Sequence, residues 1–270
     1  MADSGRFVRD LPGPAGAPTV VLLHGLGATA DLNWYPSYRP LAAHCRVLAL
    51  DHRGHGRGIR SRRMFRLEDC ADDVVSLADE LGVRSFIPVG YSMGGPIAQL
   101  IWKRHPSRVE GMVLCATAMG FSSSRDQRVV YTGLGGLALA SRLTPRVVQR
   151  RLVDELVMRR DASGPELWAR DQIRRHNPTA VLEASRAVGQ FSSTRWIGEV
   201  DVPTAVVVTT QDQLVSPRRQ LALAEAIPGA TVHRVDGGHD AAVFGADRFV
   251  PALLDACASV ASRTVSAGRY

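Results

Sequence analysis

Short apolar runs alternate with amphipathic segments along most of this chain. Residues 67–81 carry apolar side chains at helical spacing and stop at Gly82, a residue suited to end a helix, and residues 97–105 are also typical of a helix. Six other segments are short, apolar and bounded by turn-forming residues, as buried strands are: 19–23, 46–50, 85–89, 109–115, 202–209 and 231–235. This alternation predicts an α/β fold with a mostly parallel, doubly wound sheet.

The pattern changes within residues 119–196, where helix-like stretches follow one another without a convincing strand. Gly and Pro residues separate three such stretches: 147–158, 165–174 and 179–191. We therefore expect a helical insertion at 119–196 into a core made of residues 1–118 and 197–270. Near the chain ends, residues 7–11 are a candidate edge strand and residues 262–270 a candidate frayed tail.

Length and cysteine content narrow the class of protein. At 270 residues the chain can bury a sizeable core as one domain, or as one domain with an insertion. No apolar stretch reaches the roughly 18 residues needed to cross a bilayer, and residues 1–16 lack the apolar region of a signal peptide. The four cysteines form no C-x-x-C pair, which favours reduced buried thiols over disulfides or a metal site. We expect a cytoplasmic protein without membrane insertion and without a bound metal.

Positive charge is concentrated in one part of the chain. Residues 119–196 hold 13 arginines against 7 acidic residues, while the whole chain carries a net charge of +7. This segment either attracts an anionic substrate or is a solvated helical insertion rich in arginine, and we adopt the second interpretation. Its arginine pairs form no continuous stripe and accompany no nucleic-acid-binding module, so we expect no nucleic-acid partner. The sequence leaves the oligomeric state open.

The most informative motif is Gly90-Tyr91-Ser92-Met93-Gly94, which falls between a predicted strand and a predicted helix. A serine on so sharp a turn is held in strained backbone geometry, with its hydroxyl clear of the main chain. Gly90 and Gly94 leave room for the strand and the helix to approach, because a β-carbon at either position would collide. Ser92 is therefore a candidate nucleophile, and the backbone N–H of Met93 is predicted to point to where an oxyanion forms.

Three further segments place polar groups just after predicted strands. The sequence HGLG follows the first of them and can aim the N–H of Leu26 at a reacting carbonyl. Asp212 follows the fifth strand, and His239 follows the sixth. Because the carboxyl ends of parallel strands meet at one edge of an open sheet, we expect these groups to lie near Ser92.

The chain order serine, aspartate, histidine, each just past a strand, is that of the α/β-hydrolase triad. With HGLG, the DHRGHG loop at 51–56, GYSMGG and GGH, the sequence resembles the α/β-hydrolase superfamily over about residues 19–118 and 200–261. The resemblance implies that the helical insertion at 119–196 is a cap. It also implies a sheet shortened at its N-terminal edge, because only about 18 residues precede the first clear strand.

The same resemblance implies the role of each site residue. Ser92 is expected to be the nucleophile, His239 the general base and Asp212 the acid that orients the histidine. The backbone N–H groups of Leu26 and Met93 are the expected oxyanion donors.

Several neighbouring polar residues have more modest expected roles. Asp236 and Asp240 flank the histidine, but a neighbour in sequence seldom faces the outer imidazole nitrogen, and a loop after a separate strand can. His24 is expected to hold the oxyanion loop by a hydrogen bond, and His52 and His55 to anchor their own loop.

A site of this kind transfers an acyl group to serine and needs no cofactor. We expect a serine hydrolase that cleaves a small or medium carboxylic ester. Hydrolysis of a lactone, a thioester or a carbon–carbon bond stays open, as do acyl transfer to an alcohol and ligand binding without turnover. The cap contributes five candidate pocket residues, each of which has core packing as an equal alternative: Met119, Phe121, Leu134, Trp168 and Phe191.

Overall fold

Seven strands form a single sheet in the part of the chain that the structure describes. The computed structural model describes residues 7–121 and 165–267, with seven further positions: Leu137, Ala138, Ala140, Ser141, Arg142, Thr144 and Val148. The strands are β1 (Val8–Leu11), β2 (Thr19–Leu23), β3 (Arg46–Leu50), β4 (Ile87–Tyr91), β5 (Met112–Cys115), β6 (Thr204–Thr209) and β7 (Thr231–Val235). They lie in the order β1-β3-β2-β4-β5-β6-β7, with β1 antiparallel to β3 and every other pairing parallel. The predicted fold class is confirmed, including the edge strand near the N-terminus.

Helices cover both faces of this sheet. In chain order, the described α-helices are α1 (Ala30–Trp34), α2 (Tyr38–Ala42), α3 (Leu67–Glu80), α4 (Gly94–Arg104), α5 (Pro165–Arg174), α6 (Pro178–Gln190), α7 (Pro217–Ala226), α8 (Ala241–Phe244) and α9 (Ala246–Ala267). None of these described helices combines the length and the apolar character that a membrane span requires.

The alternation of side chains along the strands divides the core into two layers. Val21 and Leu23 of β2 pack with α3, α4 and α7 on one face of the sheet. Val20 and Leu22 of the same strand pack with α1, α2 and α9 on the other face. Both sets of side chains are buried, because a parallel sheet is covered by helices on both faces.

The structure corrects several sequence predictions near element ends. Strand β4 begins and ends two residues later than predicted, because Gly90 and Tyr91 still pair with β5. The predicted frayed tail is wrong as far as Ala267, since α9 continues to that residue. Its last turns are held by the side chain of Arg263, which donates to the carbonyl oxygens of Gly229 and Thr204. Five of the described helices were not predicted: α1, α2, α7, α8 and α9.

Residues 119–196 are described in part, and the described helices α5 and α6 lie where helices were predicted. Helix α5 matches the predicted bounds, and α6 starts one residue earlier than predicted, capped by the side chain of Asn177. The two ends of the insertion meet, because Gly120 forms an antiparallel bridge with Ser192 and Ser193 N–H donates to the oxygen of Met119. The predicted helix at 147–158 lies outside the described residues, apart from one position.

We expect Gly94→Ala to destabilise the fold by about 1 to 3 kcal/mol, the usual cost of overpacking a core. A β-carbon at Gly94 would collide with the backbone oxygen of Leu23, and relieving the collision would require the strand or the helix to shift. Urea unfolding followed by circular dichroism measures the change. Gly198→Ala is the matched control, since its β-carbon would meet only Ala226 at an ordinary 3.5 Å. Equal stability of the two variants would contradict the packing argument.

Candidate active site

Ser92 lies on the turn between β4 and α4, as the sequence predicts. Its φ angle is +51°, in the left-handed region that costs energy for a residue other than glycine. Two hydrogen bonds hold the turn: Ser92 N–H donates to the oxygen of Cys115 at 3.0 Å, and the hydroxyl of Thr117 donates to the oxygen of Ser92 at 2.8 Å. The surrounding structure thus stabilises a strained backbone at the residue that carries the hydroxyl.

A chain of hydrogen bonds joins Ser92, His239 and Asp212. The Nε2 atom of His239 lies 2.9 Å from Oγ of Ser92, and its Nδ1 atom lies 2.7 Å from Oδ2 of Asp212. Since an ionised carboxylate can only accept, the imidazole proton is on Nδ1 and Nε2 is free to accept from the serine hydroxyl. The arrangement can therefore take up the hydroxyl proton when Oγ attacks a carbonyl carbon.

The carboxylate of Asp212 is buried and held on both oxygens. Its Oδ1 accepts the backbone N–H groups of Leu214 and Val215, each at 2.8 Å, and its Oδ2 accepts the hydroxyl of Thr209 at 2.9 Å. Burial raises the pKa of Asp212, but the hydrogen bonds from His239 and Val215 outweigh it and leave the pKa below its ordinary value. The acid is thus ionised and fixed in orientation.

The two aspartates that flank His239 in sequence, Asp236 and Asp240, make no described hydrogen bond to its ring. Asp236 is exposed and accepts from the side chains of Thr210, at 3.2 Å, and Gln211, at 2.7 Å. Asp240 lies at the N-cap of α8. Among the hydrogen bonds of the described residues, neither carboxylate contacts the histidine, so the structure favours Asp212 as the partner.

The loop that carries His239 is anchored to β4 by Tyr91. The Tyr91 hydroxyl donates to the backbone oxygen of His239 at 2.8 Å, and the two rings lie 5.8 Å apart. The tyrosine ring is itself packed against Trp34 and Phe249, at 5.9 and 5.6 Å. The residue before the serine therefore helps to position the histidine.

The two predicted oxyanion donors lie close to Ser92. Met93 follows it at the start of α4, and Leu26 follows Gly25, where a β-carbon would lie only 3.4 Å from Cβ of Ser92. The side chain of Asn33 accepts from Gly25 N–H at 2.9 Å and holds this loop. Within the described part of the chain, neither the Leu26 N–H nor the Met93 N–H has an acceptor, so both are available to an oxygen of a ligand. The N-terminus of α4 further favours negative charge at this point.

His24 holds the loop that carries Leu26, the predicted oxyanion loop, through a hydrogen bond. It is fully buried, its Nε2 accepts the backbone N–H of His52 at 2.9 Å, and its Nδ1 lies 2.7 Å from the oxygen of Gly25. The first bond leaves the ring proton on Nδ1, which donates to Gly25. Because the Gly25 carbonyl and the Leu26 N–H belong to one planar peptide, this hydrogen bond fixes the direction of the N–H.

The histidines of the DHRGHG loop pack against His24 inside the protein. The ring centroids of His52 and His55 lie 4.3 and 5.4 Å from that of His24. Burial lowers the pKa of His24 to about 3 and lowers the pKa values of His52 and His55 well below their ordinary range. All three rings are therefore neutral at physiological pH.

These neutral histidines predict a loss of stability in acid. Unfolded His24 takes up a proton near pH 6.5, whereas the folded protein does not protonate it until about pH 3. Between these values the unfolded state binds more protons, so the free energy of unfolding should fall by about 1.4 kcal/mol per pH unit for this group as the pH drops. Urea unfolding between pH 7 and pH 5 measures the slope. His24→Asn, which cannot titrate, should reduce the slope, and an unchanged slope would contradict this assignment.

The predicted pocket residues fall into two environments. Three of them pack into the core layer that contains α3 and α4: Met119, Phe121 and Phe191. Core packing was the alternative to a pocket role for each of these residues. Trp168 instead is 39% exposed and meets the ring of Tyr35 edge to face at 5.6 Å. Leu134 lies outside the described residues.

The described arginines of the insertion include two that form ion pairs within it. Arg142 pairs with the buried carboxylate of Glu183, and Arg175 pairs with Asp171 one helical turn away. Such pairs fit a solvated helical insertion.

Other residues that hold the site lie outside any motif that we identified. They include the side chains of Asn33, Thr117 and Gln220. Their contacts join separate elements across 8 to 25 positions of the chain, and no motif marks these residues. Gln220, for example, donates to Asp212 at 3.2 Å from helix α7.

The fold and the site geometry define a class of protein. A sheet with this strand order and a serine on a strained strand-to-helix turn is the arrangement of the α/β hydrolases. The family model described as alpha/beta hydrolase fold matches residues 18–138. The chain has the α/β-hydrolase fold.

Relatives with several activities are similar to this chain. RutD of Agrobacterium fabrum, whose name provisionally assigns it as a carbamate hydrolase, is 29% identical over 250 residues, covering 89% of this chain and 93% of that protein. The enol-lactonase from Burkholderia xenovorans LB400 is 26% identical, with a TM-score of 0.74. The match covers 96% of this chain and 99% of the lactonase chain. A thermophilic esterase from Thermogutta terrifontis shares the fold at 23% identity and a TM-score of 0.77, covering 94% of this chain and 93% of its own. These comparisons identify a hydrolase.

Proposed function

We propose that the protein is a serine hydrolase that cleaves a small or medium carboxylic ester through an acyl-enzyme. The observation that carries this proposal is the hydrogen-bond chain from Ser92 through His239 to Asp212, at 2.9 and 2.7 Å. A serine hydroxyl is a weak nucleophile unless a base takes its proton, and this chain provides the base together with the group that orients it.

The proposed reaction has two acyl-transfer steps. Oγ of Ser92 attacks the ester carbonyl carbon while His239 accepts the hydroxyl proton, and the N–H groups of Leu26 and Met93 stabilise the negative oxygen of the intermediate. The carbon–oxygen bond to the leaving group then breaks, and the histidine gives its proton to the departing alcohol. Water attacks the acyl-serine with the histidine again as base, releasing the carboxylic acid and restoring the serine. Asp212 stays ionised and stabilises the imidazolium in both steps.

We assign substrate selection to residues 119–196, as a cap on a core of residues 1–118 and 197–270. The described helices α5 and α6 support this assignment, as does the joining of the two ends of the segment at Gly120 and Ser192. The exposed ring of Trp168 is the best supported of the predicted pocket residues, because the other three described candidates pack into the core.

A lactone is the second candidate substrate. The specific observation in its favour is the similarity to the enol-lactonase over nearly the whole of both chains. A lactone is an internal ester, so the same serine, histidine and N–H donors serve both reactions. The third possibility, a ligand-binding protein without turnover, is disfavoured by the complete hydrogen-bond chain at Ser92.

We also place the protein in the cytoplasm. All four cysteines are buried and free, which suits a reducing compartment.

The proposal predicts that a fluorophosphonate probe labels the wild-type protein at one residue, Ser92. Such probes react with activated serines and not with ordinary hydroxyls. Intact-protein mass spectrometry measures the stoichiometry, and peptide mapping identifies the site. A panel of acyl esters, lactones and acyl thioesters then ranks the substrate classes by kcat/KM. Absence of labelling in folded protein would contradict a serine hydrolase, while labelling with faster turnover of lactones would select the second candidate.

A further inference from the structure

The junction between α5 and α6 inserts a histidine between two loops of the core. His176 lies at this junction and is largely buried. Its Nε2 lies 2.9 Å from the backbone oxygen of Gly27, and its Nδ1 accepts the backbone N–H of Gly56 at 2.8 Å. The second bond leaves the ring proton on Nε2, which donates to Gly27. One side chain of the insertion therefore binds both the oxyanion loop and the loop after β3.

The contact with Gly27 bears directly on the proposed oxyanion donor. Gly27 follows Leu26 and has a φ angle of +68°, a backbone conformation that residues other than glycine rarely adopt. His24 holds the loop from one side of Leu26, through the oxygen of Gly25. His176 holds it at the Gly27–Ala28 peptide, so that two histidines bind the loop before and after the leucine.

The junction itself is firmly attached to the core. Asn177 N–H donates to the oxygen of Gly54 at 2.8 Å, and the side chain of Arg60 donates to the oxygens of both Gly56 and Arg175. Because these bonds fix the backbone around His176, its ring has little freedom to turn away from the oxyanion loop.

The neutral form of the ring suits this bridging role. The ring can accept from Gly56 only while Nδ1 carries no proton, and burial lowers the pKa of His176 below its ordinary value. Protonation of Nδ1 would place its N–H against the backbone N–H of Gly56.

We propose that His176 is a positioning residue through which the cap holds the oxyanion loop in the geometry that acyl transfer requires. The inference rests on the proposed serine hydrolase activity and adds a role for the cap beyond substrate selection. His176, at the junction of α5 and α6, would thus affect the chemical step. Among the described contacts it touches neither Ser92 nor His239.

Two amide substitutions separate the two hydrogen bonds of the ring. The oxygen of asparagine takes the place of Nδ1, so His176→Asn keeps the bond from Gly56 and loses the bond to Gly27. The longer glutamine places an N–H near Nε2, so His176→Gln keeps the bond to Gly27. We expect His176→Asn and His176→Ala to lower kcat by about tenfold with KM nearly unchanged. A loss of this size corresponds to partial loss of the stabilisation from one oxyanion donor. His176→Gln should keep kcat within about threefold of wild type.

A transition-state mimic provides the second measurement. A trifluoromethyl ketone forms a tetrahedral oxyanion on the serine, so its inhibition constant should rise in His176→Asn by the same factor by which kcat/KM falls. The control is Asn177→Ala, which removes the N-cap of α6 without touching Gly27. This control should lower the melting temperature and leave kcat and the inhibition constant nearly unchanged.

The possible outcomes are distinct. If the asparagine and glutamine variants lose kcat equally, or if both keep it, His176 does not position the oxyanion loop. If the asparagine variant does not fold, the same comparison is made between the alanine and glutamine variants. If the wild-type protein neither reacts with a fluorophosphonate nor hydrolyses any ester or lactone, the proposed function fails and this inference fails with it.

Discussion

Replacing Ser92 with alanine is expected to lower kcat for ester hydrolysis by about 10⁶-fold, the loss that follows removal of a serine nucleophile. The reason is that Oγ forms the covalent bond to the acyl group, and among the described hydrogen bonds no other hydroxyl contacts the imidazole of His239. The fold should persist, because the side chain contributes one hydrogen bond of about 1 kcal/mol. Initial rates on an activated ester and the urea unfolding curve measure the two effects.

The control for this variant is Ser85→Ala, which removes a hydroxyl two residues before the start of the same strand, β4. It should keep wild-type kcat, because the site is at the opposite end of that strand. If Ser92→Ala kept more than about a hundredth of wild-type kcat, the serine would not be the nucleophile.

Asp212→Asn is expected to lower kcat by about 10⁴-fold. The two backbone N–H groups at Oδ1 require an oxygen there, so the new amide nitrogen must replace Oδ2 and face His239. An N–H at that position forces the imidazole proton onto Nε2, and Nε2 can then no longer accept from the hydroxyl of Ser92. The pH dependence of kcat/KM on an activated ester measures the loss.

Asp236→Asn and Asp240→Asn are the matched controls, since each makes the same chemical change next to His239. Both should stay within a few fold of wild-type kcat, because neither carboxylate bonds the imidazole among the described contacts. A larger loss in either control than in Asp212→Asn would identify a different orienting acid.

The strand pattern of the sequence predicted most of the core correctly. The bounds of β2, β3 and β7 were predicted to the residue, because each is a short apolar run that ends in turn-forming residues. The helices α1 and α2 were missed, since five-residue helices carry too little periodicity to be seen. The longer helices α7 and α9 were not predicted either. The tail beyond residue 262 was predicted to fray, and only the tertiary contacts of Arg263 show why it stays helical.

The sequence by itself determined which residues are candidates for chemistry, because local rules govern where they can stand. A serine between close-packed glycines, and an aspartate and a histidine just after strands, follow from turn geometry and from the common edge of parallel strands. Only the tertiary structure decided how they are held. Asn33, Gln220 and His176 act through hydrogen bonds to the loops of the site, across 8 positions for the first two and 149 positions for His176. Contacts between separate elements depend on how those elements pack, and neither the motifs nor the hydrophobic pattern of the sequence specifies that packing.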